Sequence, residues 1–312
     1  MEINTTENSI PIVSVIITTY NRSTYLSEAI SSIANQTYNN LEILLIDDGS
    51  IDTIAAENKA ICEKFSTCNY YYKENSGQPD SRNYGIKKSK GDFFAFCDDD
   101  DLWVKEKLEK QISILNTEQE YGLVTGSIEY INREGIKKGT IKSHQGHNHG
   151  NVFRDLLVKN RTASIVPLIR KEVIDKAGLF NPNLTIGEDW DYWRKVSYYF
   201  KFYAIDDVLA YVRTHENTMS RNRKRTLIEK LELYRVLTKS LLFWGNGRFD
   251  KNDKELVEYI EWCHYRKLMH NHLPGFKRKL SFVLSIIFIN TISLFYLLKL
   301  YIKYNSKYKP QS

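Results

Sequence analysis

The chain has 312 residues, 42% hydrophobic and 13% aromatic, enough apolar material for one large core with an appendage. Its net charge of +6 is modest and no zinc-finger spacing or other nucleic-acid module accompanies it, so no nucleic-acid partner is expected. The four cysteines, Cys62, Cys68, Cys97 and Cys263, form no C-x-x-C pair, and residues 1–10 carry no basic stretch followed by an apolar core. These features predict reduced thiols in a cytosolic protein.

Residues 12–18 are a short β-branched apolar run and predict a buried strand, followed by a helix over 23–35 with Leu26, Ile30 and Ile33 at helical spacing. A second strand is predicted at 41–46 and a helix near Asp52, with Asp at its N-cap. Strands at 69–73 and 92–96 bracket a helix over 80–88; a helix at 104–116 and a strand near 121–125 complete the unit. Four strand–helix alternations in about 125 residues predict an α/β layer fold with a mostly parallel sheet, in which ligands bind at the carboxyl ends of strands. The rhythm then breaks. Residues 132–150 are expected as a loop or weak hairpin, and 221–270 as helical.

Each polar cluster follows a strand. The sharpest is Asp98-Asp99-Asp100-Asp101-Leu102-Trp103. Four consecutive carboxylates repel one another unless cations offset them. A hard divalent cation is held by one or two carboxylates plus substrate phosphates, so this placement suits a metal–diphosphate complex as well as a solvated acidic loop. Asp47-Asp48-Gly49-Ser50 suits a nucleoside contact or ordinary turn chemistry. Glu74 to Asn83 places Gly77 for close backbone approach and Arg82 one turn into a helix, where a guanidinium pairs with phosphate or with a nearby acid. Gly187-Glu188-Asp189-Trp190 sets acids and an aromatic at a helix start. Carboxylates bind or deprotonate hydroxyls and rings pack on sugars, whereas acids at a helix N-terminus and core Trp residues are also ordinary. His144, His147 and His149 share a polar loop with no helix to fix a metal geometry.

The series Ser14 to Asn21, Asp47 to Ser50, Glu74 to Gly77 with Arg82-Asn83, Asp98 to Trp103, and Glu188-Asp189 resembles glycosyltransferase family 2 over residues 12–215. The resemblance implies a GT-A fold, a Rossmann-like three-layer sandwich, and an inverting single displacement. It implies that Thr19, Tyr20, Asn21 and Asp48 hold the nucleoside, that Arg82 contacts base or diphosphate, and that Asp98 lies near the ribose. Asp100 would ligate Mn²⁺ or Mg²⁺, with Asp98 and Asp99 as alternative ligands, and Asp101 would cap the following helix. Asp189, paired with Glu188, would be the general base. His215, in Tyr211-Val212-Arg213-Thr214-His215, would sit near the diphosphate. Trp103 and Trp190 are candidate sugar-stacking residues. The Gln-x-x-Arg-Trp motif of processive members is absent, so one or a few sugars per encounter are expected.

This gives an expected GT-A domain over 1–220, with a nucleotide half near 10–125 and an acceptor half near 126–220, and a helical extension over 221–312. Residues 280–298 carry no charge and are flanked by Lys277, Arg278 and Lys279 before and Lys299 and Lys303 after. That pattern suits a membrane span, an in-plane helix on anionic lipid, or a helix packed on its own domain. The expected donor is a nucleotide-sugar, UDP first, and the acceptor a saccharide or lipid-linked glycan at the inner face of the membrane, as in surface-polysaccharide synthesis. Two other readings use the same residues: a sugar-1-phosphate nucleotidyltransferase, although its Gly-rich first loop is missing at 18–22, and a catalytically silent glycan- or membrane-binding protein.

Overall fold

The computed structural model describes residues 10–142, 149–215 and 226–272. The chain divides into two compact units, one up to Asn222 and one from Arg223. In the first, β1 (Val13–Thr19), β2 (Leu41–Asp47), β3 (Cys68–Tyr72) and β4 (Phe93–Asp98) form a parallel block in the order β3-β2-β1-β4. β1 and β4 are buried at nearly every position because both sheet faces are covered. Val13, Val15 and Ile17 of β1 and Phe93, Ala95 and Cys97 of β4 meet α1 (Leu26–Ala34), α2 (Asp52–Cys62) and α4 (Lys107–Thr117). The alternate residues Ile16, Phe94 and Phe96 meet α3 (Gln78–Lys88), α5 (Phe153–Val158), α6 (Lys171–Ala177) and α7 (Glu188–Tyr199). The result is the expected three-layer sandwich.

The sheet then continues through β8 (Leu168–Arg170), β6 (Tyr121–Ile131), β9 (Lys201–Arg213) and β5 (Leu102–Trp103), giving nine strands among the described residues once β7 (Lys137–Lys142) is counted at the side of β6. This half is mixed, not mostly parallel: β4–β8, β8–β6, β6–β7 and β9–β5 are antiparallel, and β6–β9 is parallel. Of the stretch 132–150, expected as a loop or weak hairpin, residues 137–142 form β7, which pairs back onto β6; His144 and His147 lie outside the described residues.

Two local expectations change. Ile51, not Asp52, is the N-cap of α2, and Asp52 is its first helical residue, where its charge faces the positive end of the helix. Asp101 does not cap α4. It is followed by β5, which pairs with β9, and its buried carboxylate accepts the backbone N–H of Arg213 at 2.8 Å.

The second unit contains α8 (Leu227–Trp244), opened by a Thr226–Glu229 capping box, and α9 (Lys251–His272). Tyr234 of α8 stacks on His264 of α9 with ring centres 4.1 Å apart. Among the described residues no helix is long and apolar enough to cross a membrane, and the 280–298 segment lies outside them.

Candidate active site

The parallel register aligns the carboxyl ends of the strands: Thr18 lies beside Asp98 and Thr19 beside Asp47. The polar side chains that follow these strands therefore emerge on one edge, where α/β sheets bind ligands.

Asp48 is fully engaged. Its Oδ1 accepts from Lys73 Nζ at 2.7 Å and from the Ser76 N–H at 3.0 Å, and its Oδ2 accepts the Gly77 N–H at 2.8 Å. Gly77 has φ +92°, a left-handed conformation that a residue with a Cβ rarely adopts, and this turn aims its N–H at the carboxylate. Asp48 thus folds the 73–77 loop over the strand ends. Tyr20 is 53% exposed. Asn21 also takes a left-handed conformation, φ 48°, tolerated by Asn. Its N–H donates to Ser50 Oγ at 2.8 Å and its Oδ1 accepts from the Ile51 N–H at 2.9 Å, which locks the β1 edge to the β2 loop.

The acidic loop is divided among different partners. Asp98 Oδ1 accepts from Gln78 Nε2 at 2.9 Å and Arg82 at 3.3 Å. Burial pushes the Asp98 carboxyl above its ordinary range, against the pull of Arg82. Asp99 is buried and accepts from Thr19 Oγ1 at 2.6 Å and from the Arg22 guanidinium. Burial pushes it up to about 6, held down by Arg22 and Thr19. Asp100 Oδ2 meets Arg22 Nη1 at 3.0 Å and His215 Nε2 at 3.0 Å. Asp101 is pushed well up by burial and by the neighbouring carboxylates. Arg213, fully buried, braces the loop: it donates to the Asp100 carbonyl at 3.0 Å, to the Arg133 carbonyl at 2.8 Å and to Glu28 at 2.8 Å. Its guanidinium lies 4.4 Å from the Tyr25 ring centre, and Tyr25 packs on His215.

The second acid group stands at the start of α7. Gly187, the N-cap, is left-handed at φ 75°, which turns the chain so that Glu188 and Asp189 head the helix. Arg82, 2% exposed, bridges the two acid groups, 3.1 Å from Glu188 and 3.3 Å from Asp98. Asp189 Oδ2 accepts from Asn160 Nδ2 at 3.0 Å. Burial, then the Glu188 charge, pushes the Asp189 carboxyl up to about 6, with Arg82 and Asn160 opposing.

The structure does not give Trp103 and Trp190 open faces. Trp103 is buried in the core, with Lys107 Nζ 3.8 Å from its ring centre. Burial lowers that amine to about 7, and it donates to Gln111 at 2.8 Å. Trp190 is buried too. Its indole N–H donates to the Leu156 carbonyl at 2.5 Å and Arg194 lies 4.1 Å from its ring centre. Both serve packing, because each ring already has a helix partner on it.

Sequence reasoning missed Arg22, Lys73, Gln78, Asn160 and Arg213. Arg22 had a signal, being the residue after the Thr19–Asn21 edge. The others are brought in by contacts far apart in sequence.

Asp100 and His215 offer a carboxylate oxygen and an imidazole nitrogen, hydrogen-bonded to one another at 3.0 Å, donor types that a divalent cation accepts. Among the described residues no group of three or more His, Cys, Asp and Glu side chains forms a metal cage, so the remaining ligands would be phosphate oxygens and water.

The profile of "Glycosyl transferase family 2" matches residues 14–176, just over half the chain. The chain belongs to this family. A relative from Rickettsia typhi, named an uncharacterized glycosyltransferase, is 33% identical over 74% of this chain and 72% of its own length. The UDP-Glc:alpha-D-GlcNAc-diphosphoundecaprenol beta-1,3-glucosyltransferase WfaP of Escherichia coli is 28% identical over 70% of this chain and 84% of its own. Among solved structures, Staphylococcus aureus TarS 1–349 in complex with UDP-GlcNAc aligns with TM-score 0.63 and 20% identity, over 83% of this chain and 73% of that one. The mannosyltransferase PcManGT of Pyrobaculum calidifontis, in complex with GDP-Man and Mn²⁺, aligns with TM-score 0.55 and 13% identity, over 94% and 86%. The fold is therefore GT-A, and the family is one of glycosyltransferases.

Proposed function

We propose that this chain is an inverting, metal-dependent glycosyltransferase that moves a sugar from a nucleoside-diphosphate donor, UDP first, to a hydroxyl of a lipid-linked saccharide. The observation that carries the reading is the Arg82 bridge, which ties the metal- and nucleotide-bearing loop at Asp98 to the acid pair at Glu188–Asp189. One site then holds leaving group and base together, as a single displacement requires. Asp100 and His215 would hold the cation, which stabilises charge on the departing diphosphate. Asp189 removes the acceptor hydroxyl proton. Its pKa near 6 leaves it ionised at neutral pH yet basic enough to help, a contribution of about 10²–10⁴ in rate. Glu188 stays paired with Arg82 and keeps negative charge beside Asp189. The strand-end edge of Thr19, Tyr20, Asn21 and Gly77 faces the nucleoside, with Asp48 shaping its loop and Asp98 and Asp99 completing the wall.

The UDP donor and the lipid-linked acceptor are supported by the wording of the E. coli relative's name. The basic, apolar stretch at 277–303 supports contact with an anionic membrane at the cytoplasmic face. Deleting residues 277–312 is expected to release the protein from membranes; a truncated chain that still sediments with them contradicts this. The transfer itself is tested by NMR of a purified product. An α-configured donor sugar should yield a β-linkage, and a retained α-linkage overturns the mechanism.

A further inference from the structure

Four basic side chains reach the acidic loop, and three are fixed in place. Arg213 is spent on two carbonyls and Glu28, Arg82 is closed between Asp98 and Glu188, and the His215 side chain is 4% exposed. Arg22 differs: its side chain is 29% exposed, at the rim of the site, with its fork across Asp99 and Asp100. Its backbone is held, because the preceding Asn21 is locked on both sides. The side chain is a long arm on a fixed pivot. Its charge also lies where a cation must enter, since Arg22 Nη1 and His215 Nε2 share Asp100 Oδ2. A metal ion taking that oxygen places a second positive charge against the guanidinium and repels it.

We propose that Arg22, and not Arg82, is the cation that grips the donor's diphosphate: it neutralises Asp99 and Asp100 while the metal is away, leaves Asp100 when the ion arrives, and turns its fork onto the phosphates. This rests on the reading of the donor as a metal-bound nucleoside diphosphate-sugar. A guanidinium suits the second task because its planar fork matches two phosphate oxygens. Asp99 remains held by Thr19 Oγ1 after the arm departs.

The test separates the two tasks by equilibrium binding in full-length protein. Mn²⁺ alone is titrated and free Mn²⁺ read by electron paramagnetic resonance; UDP, GDP and dTDP are then titrated in turn at saturating Mn²⁺. Arg22→Gln is expected to bind Mn²⁺ several-fold tighter than wild type, because the competing cation is gone, and to bind the preferred nucleotide at least tenfold more weakly. Arg22→Lys, which keeps charge but loses the fork, should restore the wild-type Mn²⁺ affinity and little of the nucleotide affinity. Matching circular dichroism and melting midpoints confirm that both variants are folded. Unchanged or weaker Mn²⁺ binding in Arg22→Gln, or unchanged nucleotide binding, overturns the proposal. Failure of wild type to bind any of the three nucleotides overturns the donor reading itself, and the two failures are distinct.

Discussion

The acidic loop after β4 and the acid pair at the start of α7 are both carboxylate clusters, yet their surroundings differ in kind. Asp99 and Asp100 are met by the guanidinium of Arg22, and Asp100 also by the imidazole of His215. Asp189 is met by a neutral amide, Asn160, beside the like charge of Glu188. Burial pushes carboxyls up in both clusters, Asp99 and Asp189 each to about 6, so the direct partner separates them. Asp99 is held by the Arg22 guanidinium and Thr19, whereas Asp189 is hydrogen-bonded to the neutral Asn160 amide and is ready to take a proton.

The largest expected effect comes from removing the base. Asp189→Asn should lower kcat by about 10²–10⁴, with nucleotide binding by calorimetry within twofold of wild type. The same substitution should raise stability above pH 6: a carboxyl whose folded pKa is raised from 3.8 to about 6 favours folding in its protonated form, and that stabilisation is lost as pH rises through 6. Melting curves should show Asp189→Asn ahead of wild type at pH 8 and level with it at pH 3.

Arg82→Met breaks the link between the clusters. It leaves Asp98 and Glu188 facing one another without their buried partner, and urea denaturation should show a loss of about 3 kcal/mol or more. A loss under 1 kcal/mol would mean that the bridge is peripheral. His215→Ala attacks the other cluster alone. It should weaken Mn²⁺ binding roughly tenfold, by the scale of removing a site residue, and leave the acid limb of the pH–rate profile in place. The smallest effect belongs to Asn160→Ala. The wild-type profile of kcat/KM should fall tenfold per unit below about pH 6, following Asp189. Losing the Asn160 hydrogen bond, which favours the ionised form, should move that limb upward by less than one unit; a downward move contradicts the assignment.

Much of this arrangement was legible in the chain. Strand ends at Thr19, Asp47 and Asp98 follow from apolar runs that stop at polar residues, and the Gly187–Asp189 helix start follows from its turn residue and acids. The mixed half of the sheet was not legible, because β8 has three residues and β5 two, too short for any alternation to register. Nor was the fate of the two tryptophans: an aromatic beside an acid reads alike on a sugar platform and in a core, and only Lys107 over Trp103 and Arg194 over Trp190 decide it. Arg213 was invisible as a loop brace because its carbonyl partner in the acidic loop lies 113 residues away; Arg22 stands next to the Thr19–Asn21 edge, but its pairing with Asp99, 77 residues away, could not be read.

The division of labour between the two clusters is tested most directly by measuring Mn²⁺-dependent donor binding and turnover side by side in wild type, Asp100→Asn and Asp189→Asn. The account predicts that Asp100→Asn loses Mn²⁺-dependent binding and turnover together, while Asp189→Asn keeps binding and loses turnover. Donor binding that survives in Asp100→Asn, or that collapses in Asp189→Asn, would contradict it.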